Sequence, residues 1–193
     1  KMPPFGHPED ETFVARTGKK MQASWLIAEA VEQADQLQRA LEGGARALSI
    51  SGAQLPELRE LLAQHLGPEY YLIIEDGGKE LEKIGKDLQG LAVPAAVSLK
   101  DLPPPEQWSA LPGLRCLVVD GRAEYRKDPG EAPAELAAFL RQAEALMAYY
   151  TDAGLKPVEV NERLHFRLAC GNSFYVEIAK LRALRLLWAN VLQ

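Results

Sequence analysis

Histidine and cysteine are scarce in this 193-residue sequence, which contains three histidines and two cysteines. No His-x-x-x-His and no Cys-x-x-Cys spacing occurs among them. Ligands of a protein-bound transition metal often come in such close pairs, so the sequence predicts no metal site. A Gly-x-Ser-x-Gly motif is also missing, and this removes the most recognisable form of a serine nucleophile.

Long apolar runs and an excess of positive charge are lacking as well. No run of 18 apolar residues occurs, so no membrane-spanning helix is predicted. The 22 Lys and Arg residues are outnumbered by 27 Asp and Glu residues, and the net charge is −5. An acidic chain of this kind is not expected to have nucleic acid as its main partner, because binding to phosphates needs a basic face.

The two cysteines lie in apolar, strand-like segments. Cys116 and Cys170 are therefore predicted to be buried free thiols in a reducing compartment, with a disulfide as the alternative. The first 20 residues contain no apolar segment typical of a secretory signal. Both features favour a cytoplasmic location.

Turn residues and apolar periodicity divide the chain into an N-terminal arm and one larger domain. Residues 1–23 are polar, contain Pro and Gly, and show no periodicity, so we expect an extended arm. Residues 24–193 alternate between short apolar strands and helices, which is typical of parallel β-α units. The predicted strands lie in RALSISG, EYYLIIEDGG, VPAAVSLKDL, LRCLVVDG and RLHFRLACG, while SWLIAEAV fits either a strand or the start of a helix.

This α/β pattern leaves two layouts, an open doubly wound sheet and a β/α (TIM-type) barrel. No Gly-x-Gly-x-x-Gly motif follows the first strand, which weakens the dinucleotide-binding version of the open sheet. A complete eight-fold barrel needs about 250 residues. The sequence therefore predicts an incomplete barrel of about five β-α units.

The best candidate for a binding site in the sequence follows the fourth predicted strand, in VVDGRAEYRKDPG. Asp120, Tyr125 and Arg126 come after the carboxyl end of that strand, where parallel α/β folds bind ligands. His165 lies on the next strand and is added to this group as a residue of the barrel mouth. The alternatives are a solvated loop and a hydrogen-bonded histidine with no role in binding.

The final helix carries charged residues among apolar ones. At about 100° per residue, Glu177 and Arg185 fall in or beside the band that contains Phe174 and Trp188. One interpretation is an ordinary Glu177–Lys180 pair with solvated arginines. The other is a buried polar network that serves the core or a subunit contact, made by Glu177, Lys180, Arg182 and Arg185.

The segment from Glu135 to Leu192 resembles the methylmalonyl-CoA mutase family. Its ELA, RLHF and NSFYVEIAKLRALRLLWA stretches match the family's Glu-Leu-Ala, Arg-(Leu or Ile)-x-Phe and Asn-Phe-Phe-x-Glu-Ile-Ala-Lys-Leu-Arg-Ala-x-Arg-x-Leu-Trp-Ala patterns almost without gaps. The front half is similar more loosely, through PPF, SWLIAEAV and LEGGARALSISG. This combination resembles the smaller, β-type subunit.

The resemblance implies a β/α barrel and an isomerase that interconverts methylmalonyl-CoA and succinyl-CoA by radical chemistry. It also implies adenosylcobalamin, held on a domain or partner chain outside this sequence. The family's cobalt-binding motif, Asp-x-His-x-x-Gly, is absent because Phe5, Ala63 and Arg163 stand two residues before the three histidines. No catalytic residue of the family has a counterpart here.

The resemblance therefore implies the N-terminal part of a non-catalytic β-type subunit, which forms a heterodimer with a catalytic, cobalamin-binding chain that handles the acyl-CoA. Two alternatives remain open. The first is a fragment of an active acyl-CoA mutase, and the second is a free-standing half-barrel module that interacts with other proteins or with itself.

Overall fold

The computed structural model describes residues 26–76, 81–99, 101–107 and 114–192. The predicted arm, residues 1–23, lies outside these residues. The strands are β1 (Ala28–Ala30), β2 (Ala47–Ser51), β3 (Tyr71–Glu75), β4 (Ala95–Val97), β5 (Leu117–Asp120) and β6 (Leu164–Arg167). The helices are α1 (Ala34–Glu42), α2 (Leu55–His65), α3 (Leu81–Leu88), α4 (Ala132–Asp152), α5 (Pro157–Arg163) and α6 (Phe174–Val191).

Proline and glycine set several of these boundaries, as their backbone preferences dictate. Pro56 occupies the first turn of α2, where a missing N–H group costs nothing. Gly44 after α1 and Gly154 after α4 both have positive φ angles, of 88° and 96°. Residues with a Cβ atom rarely adopt that conformation, so these glycines fix where the two helices stop.

All the strand pairs are parallel, and the strands are adjacent in the order in which they occur in the chain. β1, β2, β3 and β4 form one ladder, and β5 pairs with β6. A single bridge between Ala96 and Arg115 joins β4 to the segment that leads into β5. This order is consistent with part of a β/α barrel, whereas a doubly wound sheet reverses its strand order at a switch point.

The predicted α/β alternation is confirmed, with two differences of detail. The segment SWLIAEAV, which fitted either a strand or the start of a helix, contributes strand β1. The described residues therefore contain six parallel strands, the five predicted ones and β1. Helix α5 was missed, although Pro157 at its start and the 2.8 Å hydrogen bond from the Lys156 N–H to the Glu159 carboxylate are ordinary helix-start signals. None of the described helices is long and apolar enough to cross a membrane.

The prediction for the cysteines is half right. Both are free thiols, and Cys116 is buried, but Cys170 is exposed. Strand β6 ends at Arg167, so Cys170 lies in the loop that follows it and not in a covered strand. The expectation of two buried thiols failed because the apolar letters of RLHFRLACG continue past the end of the strand.

The chain divides into two compact units. One contains the strands, with residues up to Asp120 together with Leu146–Arg167. The other contains Gly121–Ala145 and the residues from Leu168 onward, which are the segments that follow β5 and β6, the first part of α4, and α6. Each unit carries one polar cluster, and each cluster lies wholly within its unit.

Candidate functional site

Polar side chains gather on one face of the sheet. Successive residues of a strand point to opposite faces. Leu48, Ile50, Leu72 and Ile74 are 0–1% exposed and form the fully buried face of β2 and β3. The opposite face, which we call the inner face, bears the residues of the inner-face cluster: Ser49, Tyr71, Glu75, His165 and Arg167.

The inner-face cluster joins strands that are not neighbours. β4 and β5 lie between β3 and β6, so these two strands would be about 14 Å apart in a flat sheet. The Tyr71 hydroxyl is nevertheless 3.2 Å from His165 Nδ1, and the two rings stack with centroids 5.8 Å apart. Contacts this short show that the sheet curls, with the inner face on its concave side.

The environment of His165 keeps its imidazole neutral. Burial, helped by the nearby Arg167 and Arg115 guanidinium groups, lowers the pKa of His165 to about 4, while Glu75 opposes the shift. Burial also raises the pKa of the Tyr71 hydroxyl, against the effect of Arg115. Both partners are therefore uncharged near neutral pH, and the hydrogen bond between them takes its direction from the tautomer of the imidazole.

A bidentate ion pair forms the second tie between β3 and β6. Arg167 Nη1 donates to Glu75 Oε2 at 2.7 Å, and its Nη2 donates to Oε1. The Ser49 hydroxyl also donates to Glu75 Oε1, at 3.2 Å. The Arg167 side chain is 14% exposed and that of Glu75 32% exposed. A guanidinium and a carboxylate in this fork geometry hold each other in fixed orientations.

The inner-face cluster is better suited to holding strands together than to acid–base chemistry. A catalytic base or acid needs a pKa near the working pH, whereas His165 stays deprotonated far below it. The charges of Glu75 and Arg167 are directed at each other. The Tyr71–His165 contact and the Glu75–Arg167 ion pair both connect β3 to β6 and so stabilise the curvature of the sheet. The geometry supports this structural role.

The second cluster is centred on a buried lysine. Lys180 on α6 lies between two carboxylates: its Nζ donates to Glu135 Oε1 of α4 at 2.8 Å and is 2.7 Å from Glu177 Oε2. A third contact is the 3.0 Å hydrogen bond to the carbonyl oxygen of Ala169. The Tyr125 ring centroid is 5.5 Å from Nζ. We call Tyr125, Glu135, Glu177 and Lys180 the Lys180 cluster.

Mutual pairing favours the charged forms of Lys180 and Glu177. The side chains of Lys180 and Glu135 are 1% and 2% exposed, and that of Glu177 is 14% exposed. Burial alone would lower the pKa of Lys180, but the hydrogen bonds to Glu135 and Glu177 outweigh it and raise that pKa. Burial would likewise raise the pKa of Glu177, but Lys180 and the Gly171 backbone N–H lower it.

One carboxylate oxygen of Glu177 has an ion-pair partner but no hydrogen bond in the part of the chain that the structure describes. Glu177 Oε2 is buried and makes no hydrogen bond of acceptable angle within the described residues, although it lies within ion-pairing distance of Lys180 Nζ. We regard the contact as a close ion pair that is poorly aligned. The cluster thus contains two carboxylates for one ammonium group, and the Gly171 N–H and the Cys170 thiol also help to lower the pKa of Glu177.

The sequence-predicted binding residues fall in different places. Asp120 ends β5 directly opposite Arg167 in the register, and His165 lies two residues before Arg167 on the same face. Tyr125 belongs to the Lys180 cluster, and the backbone N–H of Arg126 donates to Glu135 Oε2 at 3.4 Å. Their role in binding stays a prediction.

The predicted charges of the final helix also separate. Glu177 and Lys180 take part in a buried network, whereas Arg182 and Arg185 are exposed. The expected buried band was misplaced, because Phe174 is 67% exposed. The buried residues of α6 are Lys180, Leu184 and Trp188, a spacing of four residues that the Glu177–Lys180 pair extends by one turn.

Sequence reasoning missed several members of both clusters. Ser49, Tyr71 and Glu75 occupy alternate positions of neighbouring strands, and that period of two was the available signal. Arg167 and Glu135 gave no signal beyond their place in the family-like segment. Among the described residues, no group of three His, Cys, Asp or Glu side chains is arranged to hold a metal ion.

The sequence of this chain is similar to that of known proteins. Residues 108–193 match the family model described as methylmalonyl-CoA mutase. "Probable methylmalonyl-CoA mutase small subunit" of Mycobacterium bovis is 37% identical over 109 residues, which are 52% of this chain and 18% of that protein. "Methylmalonyl-CoA mutase small subunit" of Porphyromonas gingivalis is 35% identical over 105 residues, 54% of this chain and 16% of that protein.

A third relative agrees with these two. "Methylmalonyl-CoA mutase small subunit" of Streptomyces virginiae is 39% identical over 80 residues, 42% of this chain and 13% of that protein. The matched region thus spans less than a fifth of the length of each of these relatives. Over residues 108–193 the chain is similar to the methylmalonyl-CoA mutase family, and these three relatives are named as small subunits, as the resemblance predicted.

Proposed function

We propose that this chain is part of the non-catalytic, β-type subunit of an adenosylcobalamin-dependent methylmalonyl-CoA mutase, to which it contributes strands of a β/α barrel. The observation that carries the proposal is the match of 42–54% of the chain to small subunits from three genera, together with the match of residues 108–193 to the family model. The sequential order of parallel strands and the curled sheet support the barrel. The assembled enzyme would be an isomerase that acts on an acyl-CoA, in a heterodimer with a catalytic chain.

The inner-face cluster supports a non-catalytic role. Side chains on the concave face of a barrel are the ones that a substrate in its centre would meet. Here Tyr71 is engaged with His165, and Glu75 with Arg167, so their polar atoms bind protein groups. The inner face in this region is therefore suited to structural support.

Adenosylcobalamin would supply the radical chemistry of the assembled enzyme. The described histidines do not fit a cobalt ligand of this family. His65 is exposed at the end of α2, and His165 is tied to Tyr71 within the curled sheet. Neither is preceded by aspartate two residues earlier. We therefore assign the cofactor to another domain or chain.

A tagged form of the intact natural protein, recovered from its source cells, tests the assignment. We expect a co-purifying chain that contains Asp-x-His-x-x-Gly, the absorption spectrum of cobalamin, and mutase activity in the complex only. Activity of the tagged protein without a partner would show an active mutase instead. Recovery of the tagged protein alone, without cobalamin or activity, would favour a free-standing module.

The non-catalytic role has its own test in the assembled enzyme. His165→Gln should leave kcat within about twofold, since the imidazole is not asked to transfer a proton. His65→Gln, at an exposed position, is the matched control. A loss of more than about tenfold in kcat, in a complex that still assembles and binds cobalamin, would contradict the proposal.

A further inference from the structure

Two loops follow neighbouring strands in the chain. The β5 loop is residues 121–131, after Asp120, and the β6 loop is residues 168–173, after Arg167. Segments that follow the carboxyl ends of parallel strands are where β/α proteins place the groups that bind ligands and partners. The contacts that hold these loops in position therefore affect whatever the loops bind.

The β6 loop is held from α6. Lys180 Nζ donates to the carbonyl oxygen of Ala169 at 3.0 Å. One turn earlier in the helix, the Glu177 carboxylate accepts from the Gly171 backbone N–H and from the Cys170 thiol. Three consecutive residues of the loop are thus bonded to two charged side chains that also pair with each other at 2.7 Å.

The β5 loop is held by the other carboxylate of the same cluster. Glu135 Oε2 accepts from the Arg126 backbone N–H at 3.4 Å, while Oε1 of the same group accepts from Lys180 at 2.8 Å. Tyr125 lies with its ring facing Lys180 Nζ. Lys180 links the two carboxylates, because it donates a hydrogen bond to Glu135 and forms an ion pair with Glu177.

The loops also touch directly, where the Tyr125 side chain lies against Gly171. A Cβ atom built on Gly171 would be 2.1 Å from the Tyr125 hydroxyl oxygen and 3.3 Å from Glu177 Oε1. Two non-bonded heavy atoms repel strongly at the shorter distance. The β5 loop therefore packs onto the backbone of the β6 loop just where the cluster fixes both.

We propose that Lys180 is a positioning residue that couples the β5 and β6 loops, so that they open and close as one unit. The two carboxylates each hold one loop, and the ammonium group between them makes the state of one loop depend on the other. The inference rests on contacts within one unit of the structure and does not depend on the mutase assignment.

Glu177→Gln in the intact protein gives the sharpest test. Glu177 bonds to the β6 loop, whereas the Arg126 amide of the β5 loop is held by Glu135. Coupling through Lys180 predicts that hydrogen exchange becomes at least about tenfold faster at both Gly171 and Arg126. Faster exchange at Gly171 alone would overturn the proposal.

Two controls separate coupling from a general loss of stability. Glu82→Gln removes the carboxylate of an exposed helical pair with Lys86, at 3.0 Å, and should change neither loop. The Leu72 amide, bonded to the Pro94 carbonyl at 2.9 Å in the strand-bearing unit, should keep its exchange rate in Glu177→Gln. An equal acceleration at Leu72 would mean global destabilisation and would count against the proposal.

The unmodified protein supplies a second measurement. If the loops open together, the Arg126 and Gly171 amides should show the same dependence of exchange on denaturant, with protection within about threefold of each other. Two independent loops would give different dependences. That result would overturn the proposal even if the variants could not be purified.

Discussion

His165 makes the stability of this protein depend on pH in a direction that the structure fixes. Its folded-state pKa is about 4, against an ordinary value of 6.5, chiefly because the imidazole is buried. Between those two values the unfolded chain binds a proton that the folded chain does not. The contribution of His165 to the free energy of unfolding is therefore highest above about pH 6.5, and it falls as the pH drops towards 4.

The size of the effect follows from the same two pKa values. Each unit of pKa difference is worth about 1.4 kcal/mol, and most of the interval is crossed between pH 7.5 and 4.5. The structure therefore predicts that this one residue removes about 2 to 3 kcal/mol from the free energy of unfolding over that range. Other acidic groups also titrate there, so the comparison must isolate His165.

Urea denaturation of the natural protein and of His165→Gln, at pH 7.5 and pH 4.5, makes that comparison. The natural protein should lose about 2 to 3 kcal/mol more than the variant between the two pH values. An NMR titration of the imidazole gives the direct check, with the variant identifying the resonance. Two results would refute the reasoning: an imidazole that titrates near pH 6.5, or an equal loss of unfolding free energy in both proteins between pH 7.5 and 4.5. Either result would mean that the contact with Tyr71 does not keep the imidazole buried.

Three further outcomes follow from the packing. Gly171→Ala should destabilise the protein by about 1 to 3 kcal/mol, and Tyr125→Phe in that background should restore most of the loss; no loss in urea denaturation would contradict the close approach. Glu75→Leu and Arg167→Met, alone and together, should give a coupling energy of about 1 to 3 kcal/mol, and a value below about 0.5 kcal/mol would show that the fork pairing is not maintained. Cys116, buried and with its pKa raised to about 11 chiefly by burial, should resist alkylation at pH 8 until the protein unfolds, unlike the exposed cysteine after β6.

The fold was largely readable from the sequence because local signals agreed with tertiary structure. Gly44 and Gly154 mark helix ends through their positive φ angles, and apolar runs such as YLIIE became central strands. The prediction was wrong where the apolar pattern continues beyond the hydrogen-bonded strand. Cys170 continues an apolar run, but the strand has already ended at Arg167, and the pattern contains no information on where pairing stops.

The two clusters differ in how far sequence could have revealed them. Glu177 and Lys180 lie one turn apart on one helix, so their pairing was predictable, and only their burial was in doubt. Glu135 completes the same cluster from another helix, and nothing local points to it. Tyr71 and His165 meet because the sheet curls, and curvature is a property of strand order and packing that periodicity does not encode.

The two clusters stand in different relations to the segment that the family model matches. Glu135, Glu177 and Lys180 all lie within the matched residues 108–193, so the Lys180 cluster is built from family-like sequence alone. The inner-face cluster instead joins His165 and Arg167, inside that region, to partners on β2 and β3 outside it. Those ties join the segment that the family model matches to strands outside it. A relative with other residues on β2 and β3 would need different ties to hold the same curvature, whereas one that keeps Glu-Leu-Ala and Glu-Ile-Ala-Lys has the acidic and basic groups to hold both loops in the same way.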